Sequence, residues 1–189
     1  ATALMSALVQ GPLAGCAWFE PQLSYDNARL PEALLLAGIH LDSKEMKQAG
    51  ASALDYVMSK QTSAQGCFCP VATSSFADSH AASTSSFPQS TADHPCFDHQ
   101  PIETLATVEA CLAAWRATND PRWARTARQV FMWFGGDNDH ALAVANPQDG
   151  GCYDALTVEG VNRNQGAESI LAYHLASAAI RDFLKRRPV

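Results

Sequence analysis

Apolar residues recur along this chain at helical rather than strand spacing. From Ser24 to Gly38, Leu30, Leu34 and Leu35 share one face, and Gly38 suits the position just past a helix end. Asp42 with Glu45 three residues on has the form of a capping box, after which Met46, Ala49, Ala53, Leu54 and Val57 continue one face. Leu105, Val108, Leu112 and Trp115 form an apolar stripe behind Pro101. Asp120 followed by Pro121 reads as an N-cap and a first-turn proline, with Trp123, Ala127, Val130, Phe131 and Phe134 on the inner face of the next helix. A last helix is expected from about Gln165 to Leu184, with Leu171, Leu175 and Ala178 turned inward. No segment alternates convincingly. The expectation is an all-α fold of five helices, six with the N-terminus, paired as hairpins and without a sheet of three or more strands.

Two long stretches interrupt the helices. Residues 61–97 are rich in Ser, Thr and Ala, with Phe76 and Phe87 sparsely placed. Residues 135–163 carry Gly135-Gly136, Gly150-Gly151, several acids, His140 and Tyr153. Loops of this length are usually functional or disordered. The second reads as an ordered binding loop in which Asp137, Asn138, Asp154 and Asn162 hold a sugar. Their short side chains have few rotamers to freeze, and the glycines allow close approach of the backbone. Turn chemistry explains the same residues equally well, and a calcium site is a third alternative whose spacing does not match an EF-hand.

Composition narrows the function classes. The 189 residues are 47% hydrophobic and 17% charged with a net charge of −6, which fits a single globular domain spanning 1–189 and makes nucleic acid and anionic membrane poor partners. Lys185-Arg186-Arg187 suits a last helical turn rather than a nucleic-acid patch. No apolar run approaches the roughly 18 residues of a membrane span. No basic region precedes the small apolar residues Ala1 to Leu13, so they do not read as a signal peptide. A cytoplasmic segment of a longer protein is expected. The six cysteines are too sparse for a disulfide scaffold. Cys67-Phe68-Cys69 with Cys96 and a histidine invites a zinc reading, but one intervening residue is not the usual spacing and no second pair exists. Free thiols in a reducing compartment are the preferred reading, with no metal and no cofactor expected.

Candidate chemistry comes from an internal repeat. Gln100-Pro101-Ile102-Glu103-Thr104 matches Gln165-Gly166-Ala167-Glu168-Ser169 as Q-x-x-E-[ST], 65 positions apart. Each match opens a helix and follows an Asp- or Asn-rich stretch; the first helix opens similarly with Asp26-Asn27-Ala28-Arg29. A period of this size suggests stacked helical hairpins. If their starts converge, Asp26, Asn27, Arg29, Asp98, His99, Gln100, Glu103, Gln165 and Glu168 form one polar face. Such a face offers sugar hydroxyls both donors and acceptors, with Asp98, Glu103 and Glu168 as acid–base carboxylates. Each residue also has an ordinary explanation. Glu103 and Glu168 complement their helix dipoles, Asp26 and Asp98 cap, Arg29 pairs with Glu32, and His99 is structural. The tryptophans read as core, except Trp18, which lies off any helical face and is placed to stack on a sugar.

Together, Trp18-Phe19-Glu20, Tyr25-Asp26-Asn27-Ala28-Arg29-Leu30-Pro31, Phe97-Asp98-His99-Gln100-Pro101, Trp133-Phe134-Gly135-Gly136-Asp137-Asn138, Gly150-Gly151-Cys152-Tyr153-Asp154 and Asn162-Arg163-Asn164-Gln165-Gly166-Ala167-Glu168-Ser169 resemble the C-terminal part of a bacterial helical domain. That domain is often attached to glycosyltransferases and is similar to six-hairpin (α/α) toroid glycosidases and sugar epimerases. The resemblance covers residues 18–180 and implies part of an (α/α) toroid. It further implies a carbohydrate or nucleotide-sugar product as ligand. Beside an enzyme stand two alternatives: a non-catalytic accessory module of a glycosyltransferase, and a helical-repeat interaction protein with no small-molecule site. Ser74 to Thr91 stands as an insertion against that pattern. A complete toroid has about twice the helices found here, so an attached domain or self-association is expected to cover an apolar flank.

Overall fold

The computed structural model describes residues 1–10, 18–20, 23–63, 66–72 and 97–185. The expected insertion at Ser74–Thr91, and Cys16, Phe76, Phe87 and Cys96, lie outside the described residues. Six α-helices are described: α1 Thr2–Gln10, α2 Arg29–His40, α3 Lys44–Lys60, α4 Pro101–Thr118, α5 Pro121–Met132 and α6 Ala167–Lys185. A 3₁₀ turn at Trp133–Gly135 follows α5, and two short strands, β1 Ala155–Thr157 and β2 Gly160–Asn162, pair antiparallel with Leu156 opposite Val161. The fold is therefore all-α, with one small hairpin of strands inside the 135–163 stretch. Gly160, at φ +124°, ends the tight return between the strands opposite Thr157, and Leu156 is buried in the core.

Helix α4 is the hub. It packs against α2, α3, α5 and α6. Its Ala106, Ala110, Ala113 and Ala114 are buried together with Leu105, Val108 and Cys111. A helix apolar on every side belongs inside a fold, and its alanines let four neighbours approach. A second cluster of Trp18, Phe19, Leu34, Ala53 and Val57, flanked by Leu4, Met5 and Leu8 of α1, closes the other side of the α2–α3 hairpin. The Asp120–Pro121 start of α5 is as the sequence indicates, with the Asp120 carboxylate accepting from the Arg122 N–H at 2.9 Å.

Several local expectations are corrected. The cap of α3 is Ser43, whose hydroxyl accepts from the Met46 N–H at 3.3 Å. Asp42 instead takes a left-handed φ of 48° and pairs with Lys47. Gly38 does not end its helix, because α2 continues to His40. A Cβ on Gly38 would lie 2.8 Å from the Lys47 backbone nitrogen, so the residue is small to let α3 turn back closely. In α6 the inward face is Ser169, Ala172, Ala176, Ile180 and Phe183, while Leu171 and Leu175 are 58% and 51% exposed. Helical periodicity fixes which residues share a face but not which face turns inward, and the small side chains here permit close packing on α4.

Candidate functional site

The starts of α2, α4 and α6 open on one side, and the residues there touch one another. Glu103, in the first turn of α4, is only 2% exposed. Its carboxylate accepts from the Asp26 backbone N–H and from the Asn27 N–H at 3.3 Å, while the Asn27 and Gln61 side-chain amides approach the same oxygen at 3.4 Å each. Gln61 is held in turn by the Thr107 hydroxyl, which lies 3.2 Å from its Oε1. Burial raises the Glu103 carboxyl to about 7, against the opposing pull of the Asp26 and Asn27 donors.

Asp26 stands on that support. Its backbone takes a left-handed φ of 55°, uncommon for a residue with a side chain. Its Oδ2 receives the Arg29 Nε at 3.2 Å, whereas Oδ1 is buried without a hydrogen-bond partner among the described residues. Burial raises its pKa despite Arg29, and the charges of Glu109 and Glu168 push the same way. Arg29 also bonds Glu32 at 2.8 Å and Glu109, so one guanidinium serves three carboxylates. Tyr25 is half exposed and donates its hydroxyl to Glu168 in the first turn of α6. Burial, that hydrogen bond and the surrounding carboxylates, Glu103 among them, hold its pKa well above the usual value. The two Q-x-x-E helix starts therefore meet at Tyr25 and Asp26. The sequence singled out Asp26 but not Tyr25. Its signal was its place directly before Asp26 in a segment already marked as polar.

The loop residues behave differently. Asn138 is buried; its amide donates to the Trp133 and Leu142 carbonyls at 2.9 and 2.8 Å, and its oxygen accepts from the His140 and Leu142 N–H groups. Its hydrogen-bonding capacity is used inside its own turn, which corrects the expectation of a sugar contact. Asp154 accepts from the Gly166 N–H at 2.6 Å just ahead of α6, and exposed Asn162 accepts from Asn164 at 3.2 Å. Turn chemistry accounts for both. Gln165 lies against Gly151, where a Cβ would meet its Oε1 at 2.6 Å. Gln100 caps α4 by backbone position alone, with no side-chain cap bond. Asp98 is exposed. Trp18 is buried against Phe19 and Tyr56, which removes it as a sugar platform.

His99 is fully buried. Its backbone pairs both ways with Leu156, with N–O distances of 2.9 Å, and Phe97 lies over its ring at 4.5 Å. Near it are Cys69, with Sγ 3.6 Å from His99 Nε2, and Asp139, with Oδ2 3.9 Å from Nδ1. Asp137 is exposed, with Oδ1 3.9 Å from the Cys67 Sγ. Two shallow surface depressions lie away from the carboxylates, one lined by Leu142, Tyr153 and Arg163, the other by Phe131, His174 and Arg181. No described helix is long and apolar enough to cross a membrane.

No protein-family model and no curated protein matches the chain. Among solved structures it is similar to an inactive variant, with two aspartates changed to asparagine, of the family 76 glycoside hydrolase α-1,6-mannanase of Salegentibacter sp. HEL1_6, in complex with α-1,6-mannotriose. The TM-score is 0.60 at 12% identity, covering 87% of this chain and 43% of that one. The chain thus spans less than half the length of that mannanase. At this identity the likeness establishes fold, and the neighbour is an (α/α) toroid. The alternation seen here, with α2, α4 and α6 side by side and α3 and α5 returning behind them, is that of successive hairpins of such a toroid.

Proposed function

We propose that this chain is a carbohydrate-active helical domain whose sugar site lies where α2, α4 and α6 start. The observation that carries the reading is Asp26. A buried carboxylate oxygen without a donor among the described residues, on a strained backbone and beside a carboxyl raised to about 7, suits a ligand hydroxyl. In the catalytic form of the reading, Asp26 donates a proton to a glycosidic oxygen while Glu168 serves as the second carboxylate. Glu103 holds Asp26 in place, Tyr25 and Gln165 contact hydroxyls, and Asp98 is a further acid candidate at the start of α4. The toroid fold shared with a mannanase supports this class of ligand.

A second reading has its own observation. Glu103 directs its carboxylate to the chain's own backbone and amides, as a purely structural residue does. On that reading the domain binds glycan or nucleotide-sugar product without cleaving it, beside an attached glycosyltransferase. The two are separated by calorimetry against a panel that includes α-1,6-mannotriose, followed by an assay for new reducing ends. Asp26→Asn and Glu168→Gln are expected to weaken binding at least tenfold with the fold intact. Binding without cleavage selects the accessory module. Absence of binding across the panel overturns both.

A further inference from the structure

Cys69, His99 and Asp139 each offer one ligand atom, and these atoms lie within 4.8 Å of one another. We infer that they form a binding site for a zinc-class divalent cation. The site adjoins the start of α4, where Gln61 touches both Cys69 and Glu103, but it does not depend on the carbohydrate reading.

The donor set argues for the metal class. A thiolate, an imidazole and a carboxylate together suit zinc, whereas calcium and magnesium take oxygen alone. Three protein ligands leave one tetrahedral position for water. Each ligand comes from a separately anchored segment. The Cys69 N–H donates to the Gln61 carbonyl at 2.9 Å, and a bridge between Thr62 and Phe68 closes the turn that precedes it. His99 is fixed through both backbone bonds to Leu156. Asp139 follows Asn138, whose four hydrogen bonds lock the turn. A second, independent observation points to a ligand. The Asp139 side chain is 10% exposed, and its Oδ2 has no hydrogen-bond partner among the described residues while facing His99 at 3.9 Å. A buried carboxylate oxygen in that state is costly unless a cation or donor meets it. On binding, the Cys69 thiol releases its proton to solvent and the sulfur takes its place in the coordination shell.

The test uses the whole chain after treatment with a chelator and gel filtration. Co²⁺ is titrated in while the visible d–d bands and the thiolate-to-cobalt charge-transfer band are recorded. Zn²⁺ affinity is then measured by competition with a chromophoric chelator. The expected result is one ion per chain with tetrahedral d–d bands and one thiolate. Cys69→Ser should abolish the charge-transfer band, and Asp139→Asn should weaken Zn²⁺ binding at least tenfold. Because His99 is core, its replacement is not used; the far-ultraviolet circular dichroism of the other two variants shows that they are folded. Cys67→Ser should bind as the parent does. No stoichiometric binding, or binding unchanged in both Cys69→Ser and Asp139→Asn, overturns the proposal. Loss in Cys67→Ser as large as in Cys69→Ser overturns the ligand assignment and places the ion on the cysteine pair.

Discussion

Asn27 presents its backbone N–H at 3.3 Å and its side-chain amide at 3.4 Å to the same oxygen of Glu103, across 76 positions of sequence. This contact joins the first turn of α4 to the segment that enters α2, so the geometry of Asp26 depends on the state of Glu103. Burial raises the Glu103 carboxyl from its ordinary 4.5 to about 7. The folded chain therefore holds this proton more tightly than the unfolded chain. The resulting stabilisation is fully present below about pH 4.5 and is lost as pH rises through about 7. The difference amounts to about 3 kcal/mol. Chemical denaturation of parent and Glu103→Gln across that range should show the parent losing stability relative to the variant by this order. Parallel pH profiles would reject the shifted carboxyl.

Arg29 is expected to be the least replaceable side chain at this end. It meets Asp26, Glu32 and Glu109 together. Removing it leaves three partly buried carboxylates without their cation, which costs about 2 kcal/mol once solvent screening at a third-exposed site is allowed for. Arg29→Met should therefore lower the melting temperature by about 4–8 °C. Arg29→Lys should recover little, because one ammonium cannot reproduce the guanidinium fork. A thermal melt of Arg29→Lys coinciding with the parent would show that charge alone is needed.

Two glycines pit packing against helix propensity. Replacing a mid-helix glycine by alanine ordinarily stabilises by about 1 kcal/mol. A Cβ on Gly50, however, would sit 2.8 Å from Leu35 Cγ and 3.1 Å from the Leu35 backbone nitrogen. Overpacking of this kind costs about 1–3 kcal/mol. Gly50→Ala is expected to destabilise. Gly135→Ala, where no atom of a described neighbour lies within 4 Å of the added carbon, should be neutral or better. Urea titrations of the two variants decide the sign.

What the sequence disclosed depends on the range of the interaction. The Asp120–Pro121 start of α5 and the helical pairing were legible because caps and periodicity are local. Ser43 was missed because Asp42 offered the same short oxygen one position earlier. The inward face of α6 was misassigned because alanines at 172 and 176, rather than the larger leucines, fit against the alanines of α4. Trp18 was misread because its partner Tyr56 lies on α3, 38 positions further along the chain. The Q-x-x-E repeat pointed to the helix starts, but the support that Glu103 gives Asp26 spans 77 positions and leaves no local trace. The Cys69–His99–Asp139 cluster is equally non-local: the sequence offered Cys67, Cys96 and an unspecified histidine beside Cys69, and gave no sign of Asp139.

The exposed leucines of α6 make the last prediction. Leu171 and Leu175 stand one helical turn apart at 58% and 51% exposed, with Leu184 further along the same helix at 46%. Paired apolar side chains in contact with water on one helix are disfavoured unless something covers them. The structure shared with a toroid of more than twice this length suggests the occupant, another helix packed alongside α6. A second copy of the 189-residue chain can supply an equivalent surface. Burying both leucines contributes about 3 kcal/mol per copy, enough to drive association at high concentration but not a tight dimer, because docking itself costs several kcal/mol. Sedimentation velocity should therefore show a concentration-dependent shift toward dimer for the parent chain. Leu171→Glu combined with Leu175→Lys, an i,i+4 pair that favours the helix, should remain monomeric at the same concentrations with an unchanged circular dichroism spectrum. A parent chain that stays monomeric throughout, or a double variant that associates just as strongly, would show that this face is not the one that seeks a partner.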